Sequence, residues 1–138
     1  MVDIFTRKKR SEIMRRIGPK NSKPERYVAE VLKSLGYRYV SHHDTILGKP
    51  DFAFRRREKA IFVNGCFWHG HSGCLRASLP ATNRAFWKKK IASNIRRDHH
   101  VYRKLRKSGW GVMVIWQCRL QNTNAKQVGS RIDRFIKG

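Results

Sequence analysis

Two cysteines and two histidines lie close together in the segment VNGCFWHGHSGC, which runs from Val63 to Cys74. The whole chain has 3 cysteines, and this segment contains two of them. Structural zinc sites take four nitrogen or sulfur ligands in a tetrahedron, and such a site has no open position for catalysis. We therefore expect a structural Cys3His zinc site that ties this loop to a distant element. The expected ligands are Cys66, His71, Cys74 and Cys118.

One alternative set of ligands remains open at this stage. Cys118 could be a small buried residue, and His69 rather than His71 could bind the metal. The odd number of cysteines argues against a closed disulfide framework and favours a reducing, cytoplasmic location.

The remaining pattern predicts helices on both sides of a mixed sheet. Ser22, Pro24 and Glu25 form an N-terminal capping pattern, and Gly36 ends the helix that follows. Residues 11–17 resemble a short basic helix. A hairpin is expected from Asp51–Phe54 and Lys59–Val63, followed by a long helix over 82–107. The almost continuous apolar run Gly111–Trp116 predicts a central strand with Cys118 at its end, and a last helix is expected at 131–136.

The charge of the chain indicates a polyanionic partner. The chain has 32 lysines and arginines but 9 acidic residues, which gives a net charge of +23. Neutralising phosphates releases counterions, so nucleic acid is the favoured partner over an anionic membrane surface. Ribosomal proteins and RNA chaperones share such a charge. The opening MVDIFTRKKR lacks the apolar run of a signal peptide, and no stretch is apolar enough to span a membrane. We expect one domain over 1–138, with a basic segment at 1–20 that contacts DNA.

Two acidic residues are candidate ligands of a catalytic Mg²⁺. Asp51 begins a predicted strand, and Glu25 lies on the inward face of its helix. Carboxylates bind Mg²⁺, and such an ion can neutralise a scissile phosphate and activate water. The simpler readings are a turn aspartate for Asp51 and a capping-box role for Glu25.

Histidine and aromatic side chains complete the candidate site. His69 could transfer a proton at neutral pH, or it could be a partly exposed loop residue. Phe67, Trp68 and Trp87 could be core residues, or they could wedge between base steps of a duplex. For Phe86 we expect core packing. The remaining adjacent histidine pairs are expected at the surface or on phosphates: His42, His43, His99 and His100.

Taken together, these motifs resemble the very short patch repair (Vsr) mismatch endonucleases, over roughly Ser11 to Leu120. The motifs are Arg10-Ser11-x-x-Met14-Arg15, Glu25, Gly48-Lys-Pro-Asp-Phe52, Gly65-Cys-Phe-Trp-His69, Pro80-Ala-Thr82, Phe86-Trp87, Gly109-Trp110 and Val114-Ile-Trp-x-Cys118. The resemblance implies a restriction-endonuclease-like fold. It also implies a Mg²⁺-dependent nick in duplex DNA, 5′ to the thymine of a T:G mismatch that arises by deamination of 5-methylcytosine.

The resemblance also implies roles for individual residues. Asp51 and the Val63 carbonyl would bind Mg²⁺, Glu25 would act through water, and His69 would transfer a proton. The aromatic side chains named above would enter beside the mismatch from the major groove, and Met14 would approach from the minor groove. Arg15 and Lys88 are further expected DNA contacts. We expect a monomer that acts in the bacterial cytoplasm at the nucleoid, with mismatch-repair accessory proteins as candidate partners.

The chain departs from the family pattern at one catalytic position. The best-known member has a histidine immediately before the Gly-Cys-Phe-Trp segment, and here Asn64 takes that place. Asparagine can orient a water or a phosphate oxygen, but it cannot accept a proton at neutral pH. Two other functions therefore stay open: a zinc-stabilised DNA-binding module without catalysis, and a restriction-like or modification-dependent nuclease. The loop Ser72-Gly73 is also one residue longer than in that member.

Overall fold

The computed structural model describes residues 24–138, which form a three-stranded sheet with helices on both faces. In chain order the elements are α1 (Pro24–Leu35), β1 (Phe52–Phe54), β2 (Lys59–Asn64), a short 3-10 turn (Leu75–Ala77), α2 (Arg84–Lys107), β3 (Gly111–Trp116), α3 (Gln117–Asn122) and α4 (Ala125–Lys137). β1 and β2 pair antiparallel, and β2 and β3 pair parallel, so the predicted mixed sheet is confirmed. The predicted helix at 11–17 and the Ser22 cap lie outside the described residues.

Two apolar layers hold the helices against the sheet. One layer packs α1, α3 and α4 on the first face, and Val28 of α1, Leu120 of α3 and Ile132 of α4 are almost completely buried in it. The second layer packs α2 on the other face through Leu105, with Phe62 of the sheet buried beside it. The strands are therefore covered on both sides, which explains why their sequences lack a strict alternation of polar and apolar residues.

The expected central position of the Gly111–Trp116 strand is wrong. The strand order is β1-β2-β3, so β2 is central, and β3 pairs with β2 alone among the described strands. Val112 and Val114 of β3 face the α2 layer, whereas Met113 and Ile115 face the other layer. A continuous apolar run thus reports that both faces of a strand are covered. It does not report how many neighbours the strand has.

Two other boundaries differ from the sequence-based expectation. Cys118 lies in the first turn of α3, immediately after β3, instead of at the end of the strand. The last helix starts at Ala125, where the side chain of Asn124 accepts a hydrogen bond from the Gln127 amide at 2.8 Å. That helix is longer than predicted, because Asn124 caps it ahead of residues 125–130, which the prediction left out. None of the helices in residues 24–138 combines the length and the apolar character needed to cross a bilayer.

A hydrogen bond joins the end of α1 to α4 and has a consequence for stability. The Tyr37 hydroxyl donates to Asp133 Oδ1 at 2.6 Å. Burial, followed by the bond to Asp133, raises the pKa of Tyr37 to about 12. The same bond lowers the pKa of Asp133 from its usual value of 3.8. The stability that this bond provides is therefore present above the unfolded pKa of Asp133, and it is lost as pH falls through the lower folded pKa.

We expect Tyr37→Phe to reduce the free energy of unfolding by about 1 kcal/mol at neutral pH. The deficit should shrink at an acidic pH below the lowered pKa of Asp133, where the Asp133 carboxylate is protonated in wild type as well. Urea unfolding at the two pH values measures both quantities. Tyr39→Phe is the matched control, because Tyr39 is an exposed tyrosine. An equal deficit at both pH values would mean that the charge of Asp133 does not contribute.

Candidate active site and metal centre

A cluster of two carboxylates and one imidazole lies where the chain enters β1. Asp51 precedes β1, and its Oδ2 accepts a hydrogen bond from the Val63 amide of β2 at 2.6 Å. Glu25 lies in the first turn of α1, and its Oε1 is 2.6 Å from His42 Nε2. His42 Nε2 is also 3.6 Å from Asp51 Oδ1. The three possible ligand atoms all lie within 4.8 Å of one another.

The surroundings of Asp51 suit a cation. Burial raises the pKa of Asp51, the backbone bond from Val63 opposes that rise, and the negative charge of Glu25 adds to it. A divalent ion would relieve the repulsion between the two carboxylates. Hard ions such as Mg²⁺ favour carboxylate oxygen, so the residues present fit the predicted ion. Asp51 and Glu25 are thus close together, and His42 was missed by the sequence analysis, which placed it at the surface or on phosphate.

A glycine-dependent contact positions the loop before Asp51. Gly48 has φ +78°, and a Cβ atom there would lie 2.3 Å from Val101 Cγ1 of α2. The loop therefore lies on α2 more closely than any side chain would allow. His42 N–H donates to the Pro50 carbonyl at 2.9 Å, so the beginning and the end of the loop are joined next to Asp51.

Two side chains of α2 hold the other predicted catalytic residues. His69 Nδ1 is 2.6 Å from Asp98 Oδ2. Burial raises the pKa of Asp51 overall, and His69 is one of the nearby groups that oppose this rise. Asn64 is 3% exposed and donates from Nδ2 to the Tyr102 hydroxyl at 2.8 Å. Burial raises the pKa of Tyr102 to about 12.

The sequence analysis missed Asp98 and Tyr102, although their spacing carried a signal. Residues four apart lie on one face of a helix, so Asp98 and Tyr102 both face the same side of α2. An acidic residue in the middle of a strongly basic helix was the available clue. Its partner could not be deduced, because His69 is 29 residues away in the sequence.

All three cysteines converge with one histidine in a second cluster. Its four possible ligand atoms lie within 4.8 Å of one another, and they belong to Cys66, His71, Cys74 and Cys118. In a tetrahedral zinc site with Zn–S bonds of about 2.3 Å, neighbouring sulfurs are about 3.8 Å apart. His71 Nδ1 is 3.5 Å from Cys118 Sγ, so the donor set and its spacing fit zinc. His69, the alternative ligand, instead binds Asp98.

Aromatic stacking connects this Cys/His cluster with the end of β3. The Trp116 ring lies against the His71 ring, with centroids 4.1 Å apart and planes 10° from parallel. The stack fixes the orientation of His71 so that Nδ1 faces Cys118. Gly70, with φ +59°, lets the same loop contact α2, because a Cβ atom there would be 2.6 Å from Ile95 Cδ1.

Phe67, Trp68 and Trp87 form one cluster of edge-to-face rings. Their centroids are 5.4 to 5.7 Å apart. Trp68 is 51% exposed, and its carbonyl accepts a hydrogen bond from Asn94 Nδ2 of α2 at 2.9 Å. The expected core packing of Phe86 is wrong: Phe86 is 60% exposed and contacts Trp87. It begins the helix, beyond the part of α2 that packs on the sheet.

Basic side chains of α2 lie next to the aromatic cluster and beside the Asn64–Tyr102 pair. Lys88 is exposed one residue after Trp87. A groove of about 580 Å³ lies along the second half of α2 beside Tyr102, which is bonded to Asn64. Its remaining lining residues are His99, Arg103, Arg106 and Lys107. Met14 and Arg15 lie outside the described residues.

The arrangement is that of a basic α/β protein with an acidic–histidine cluster, a Cys3His cluster and an exposed aromatic group. The family model described as DNA mismatch endonuclease Vsr matches residues 2–75, more than half of the 138 residues. The chain belongs to the Vsr family.

Several curated relatives match almost the whole chain. The DNA mismatch endonuclease Vsr of Escherichia coli K12 is 34% identical over 141 residues, covering 100% of this chain and 90% of the relative. The type II nicking enzyme V.NmeAIP of Neisseria meningitidis is 41% identical, covering 99% of this chain and 96% of the relative. The type II nicking enzyme V.XorIIP of Xanthomonas oryzae is 38% identical, covering 95% and 96%.

We expect Cys118→Ser and His71→Gln each to release about one equivalent of zinc and to lower the melting temperature, because the metal contributes to folding free energy. Metal analysis of the purified protein and thermal unfolding measure the two effects. His43→Gln is the control, since His43 bonds Thr45 and lies outside the cluster. A wild-type protein that contains no zinc would contradict the assignment.

Proposed function

We propose that this protein is a Mg²⁺-dependent endonuclease that nicks duplex DNA 5′ to the thymine of a T:G mismatch. Such mismatches arise by deamination of 5-methylcytosine, and the nick would begin very short patch repair. One observation carries the proposal. The carboxylate of Asp51 is bonded to β2, and the loop that leaves β2 presents the exposed Trp68 beside Trp87. Membership of the Vsr family and relatives named as nicking enzymes support the same activity.

In this proposal Asp51, the Val63 carbonyl and, through water, Glu25 would hold Mg²⁺. The ion would neutralise charge on the scissile phosphate and favour ionisation of the attacking water. His69 moves a proton at the reacting phosphate, and Asp98 fixes which nitrogen of His69 faces the reaction. Asn64, held by Tyr102, orients a water or phosphate oxygen instead of accepting a proton.

The aromatic cluster would recognise the mismatch. A mismatched step costs less to unstack than a paired one, so wedging side chains discriminate through deformation of the duplex. Phe67, Trp68 and Trp87 enter from the major groove, and Met14 enters from the minor groove. Arg15, Lys88 and the remainder of the basic segment 1–20 neutralise phosphates, consistent with the net charge of +23.

The Cys3His cluster would hold a structural Zn²⁺ and keep the aromatic loop stiff. The chain would act as a single domain and as a monomer, since a nick in one strand needs only one active site. We place it in the bacterial cytoplasm at the nucleoid. Mismatch-repair accessory proteins are further proposed partners.

We expect the purified protein to nick only the thymine strand of a T:G duplex, and only with a divalent ion. Asp51→Asn should abolish nicking, and His69→Gln should reduce its rate by about a hundredfold or more. T:G, U:G and C:G duplexes, each end-labelled on one strand at a time, give the readout on a gel. Asp44→Asn is the control, because Asp44 is 87% exposed and pairs with Lys49.

Three outcomes of this assay would contradict parts of the proposal. Binding without cleavage across Mg²⁺ and Mn²⁺ concentrations would support a DNA-binding module without catalysis, for which Asn64 is the motivating residue. Equal cutting of mismatched and paired duplexes would favour a restriction-like nuclease. Full activity of Asp51→Asn would remove the proposed metal site.

We expect Trp68→Ala to reduce the preference for T:G over C:G duplexes by about tenfold, because a stacked aromatic ring contributes about 1–3 kcal/mol per base. Competition binding with the two duplexes measures this preference. Lys88→Ala should instead weaken binding to both duplexes alike and reduce the salt slope by about 1. If Trp68→Ala leaves the preference intact, Trp68 does not read the mismatch.

A further inference from the structure

His42 occupies an unusual position between the two carboxylates of the acidic cluster. Its Nε2 is 2.6 Å from Glu25 Oε1 and 3.6 Å from Asp51 Oδ1. The side chains of His42 and Glu25 are 51% and 47% exposed, so as an ion pair alone the contact would contribute little to stability. The proposed mechanism gives His42 no part.

His42 is held in this position by a backbone conformation that residues other than glycine rarely adopt. His42 has φ +50°, in the left-handed region that disfavours residues with a Cβ atom. Its amide is bonded to Pro50, the residue immediately before Asp51. The neighbouring His43 points elsewhere, since its Nδ1 is 2.9 Å from the Thr45 hydroxyl oxygen. Of this histidine pair, only His42 has a ring nitrogen within ligand distance of the two carboxylates.

The chemistry of the three donors differs from that of an all-oxygen site. Mg²⁺ favours oxygen ligands and keeps several waters, whereas imidazole nitrogen binds Mn²⁺, Co²⁺ and later transition ions more readily than Mg²⁺. Nitrogen and carboxylate donors within 4.8 Å of one another match a mixed site for such an ion.

We propose that His42 adds a nitrogen ligand at the Asp51 site, so that Mn²⁺ or Co²⁺ is held there by its imidazole together with the Asp51 carboxylate and the Val63 carbonyl and, through water, Glu25. The inference rests on the proposed function, because it concerns the same metal site. It adds a nitrogen ligand and an order of preference: Mn²⁺ and Co²⁺ bind more tightly than Mg²⁺, and His42 provides the difference.

The test is binding of Mn²⁺ to the full chain, followed by electron paramagnetic resonance. The free-ion signal gives the dissociation constant, and pulsed measurements detect coupling of the ion to ¹⁴N of a bound imidazole. We expect ¹⁴N coupling in wild type and in His43→Gln, and its loss in His42→Gln. We also expect His42→Gln to weaken Mn²⁺ binding by about tenfold or more, in the range that changes around a metal site produce. In competition measurements, His42→Gln should weaken Mg²⁺ binding less than it weakens Mn²⁺ binding.

The outcomes separate this inference from the proposed function. Mn²⁺ binding that requires Asp51 but shows no ¹⁴N coupling would overturn the role of His42 and leave the nicking mechanism intact. Coupling that persists in His42→Gln would place the nitrogen on another histidine, which also overturns it. Mn²⁺ binding unchanged in both His42→Gln and Asp51→Asn would overturn the metal site itself. Coupling that depends on His42 in a protein that never nicks DNA would uphold the ligand and reject the function.

Discussion

The hydrogen bond from the Val63 amide to Asp51 is the contact that joins the acidic–histidine cluster to the strand that leads into the Cys/His cluster. It fixes the carboxylate to the central strand β2, only three residues before the first cysteine of the Cys/His cluster. That strand then leads directly into the loop with Phe67 and Trp68. In the proposed function, the groups that cleave the bond and those that recognise the mismatch are therefore both attached to one rigid strand. Precise positioning of reacting groups requires such a rigid support.

Helix α2 supports the same region from the opposite side. It provides Asp98 for His69, Tyr102 for Asn64 and Asn94 for the backbone of the aromatic loop. These three polar side chains lie on the inward face of a helix whose other face is strongly basic. One face of the helix thus orders the loop residues, and the other carries the positive charge that, in the proposed function, would meet a phosphate backbone.

Local sequence signals predicted α1, α2, part of α4, the hairpin and the four residues of the Cys/His cluster, because capping, period and ligand spacing are properties of short segments. The short helix α3 was not predicted. Signals failed where tertiary contacts decide. The apolar run of β3 indicated burial on both faces, and the structure adds that the strand has only β2 as a neighbour. Phe86 was expected in the core because it is apolar, whereas it lies beyond the part of α2 that meets the sheet. His42 meets Glu25 only because the loop turns through a left-handed residue, which no short pattern in the sequence announced.

The absence of a side chain at Gly48 has a consequence for how this chain can change. The backbone of the loop before Asp51 contacts the side chain of Val101, so α2 rather than β1 fixes the position of the loop. A larger residue at position 48 would clash with Val101 unless a smaller residue replaced Val101 first. Even then, the positive φ at position 48 would disfavour the substitution. A change that displaces this loop, and Asp51 with it, would therefore have to move α2 as well.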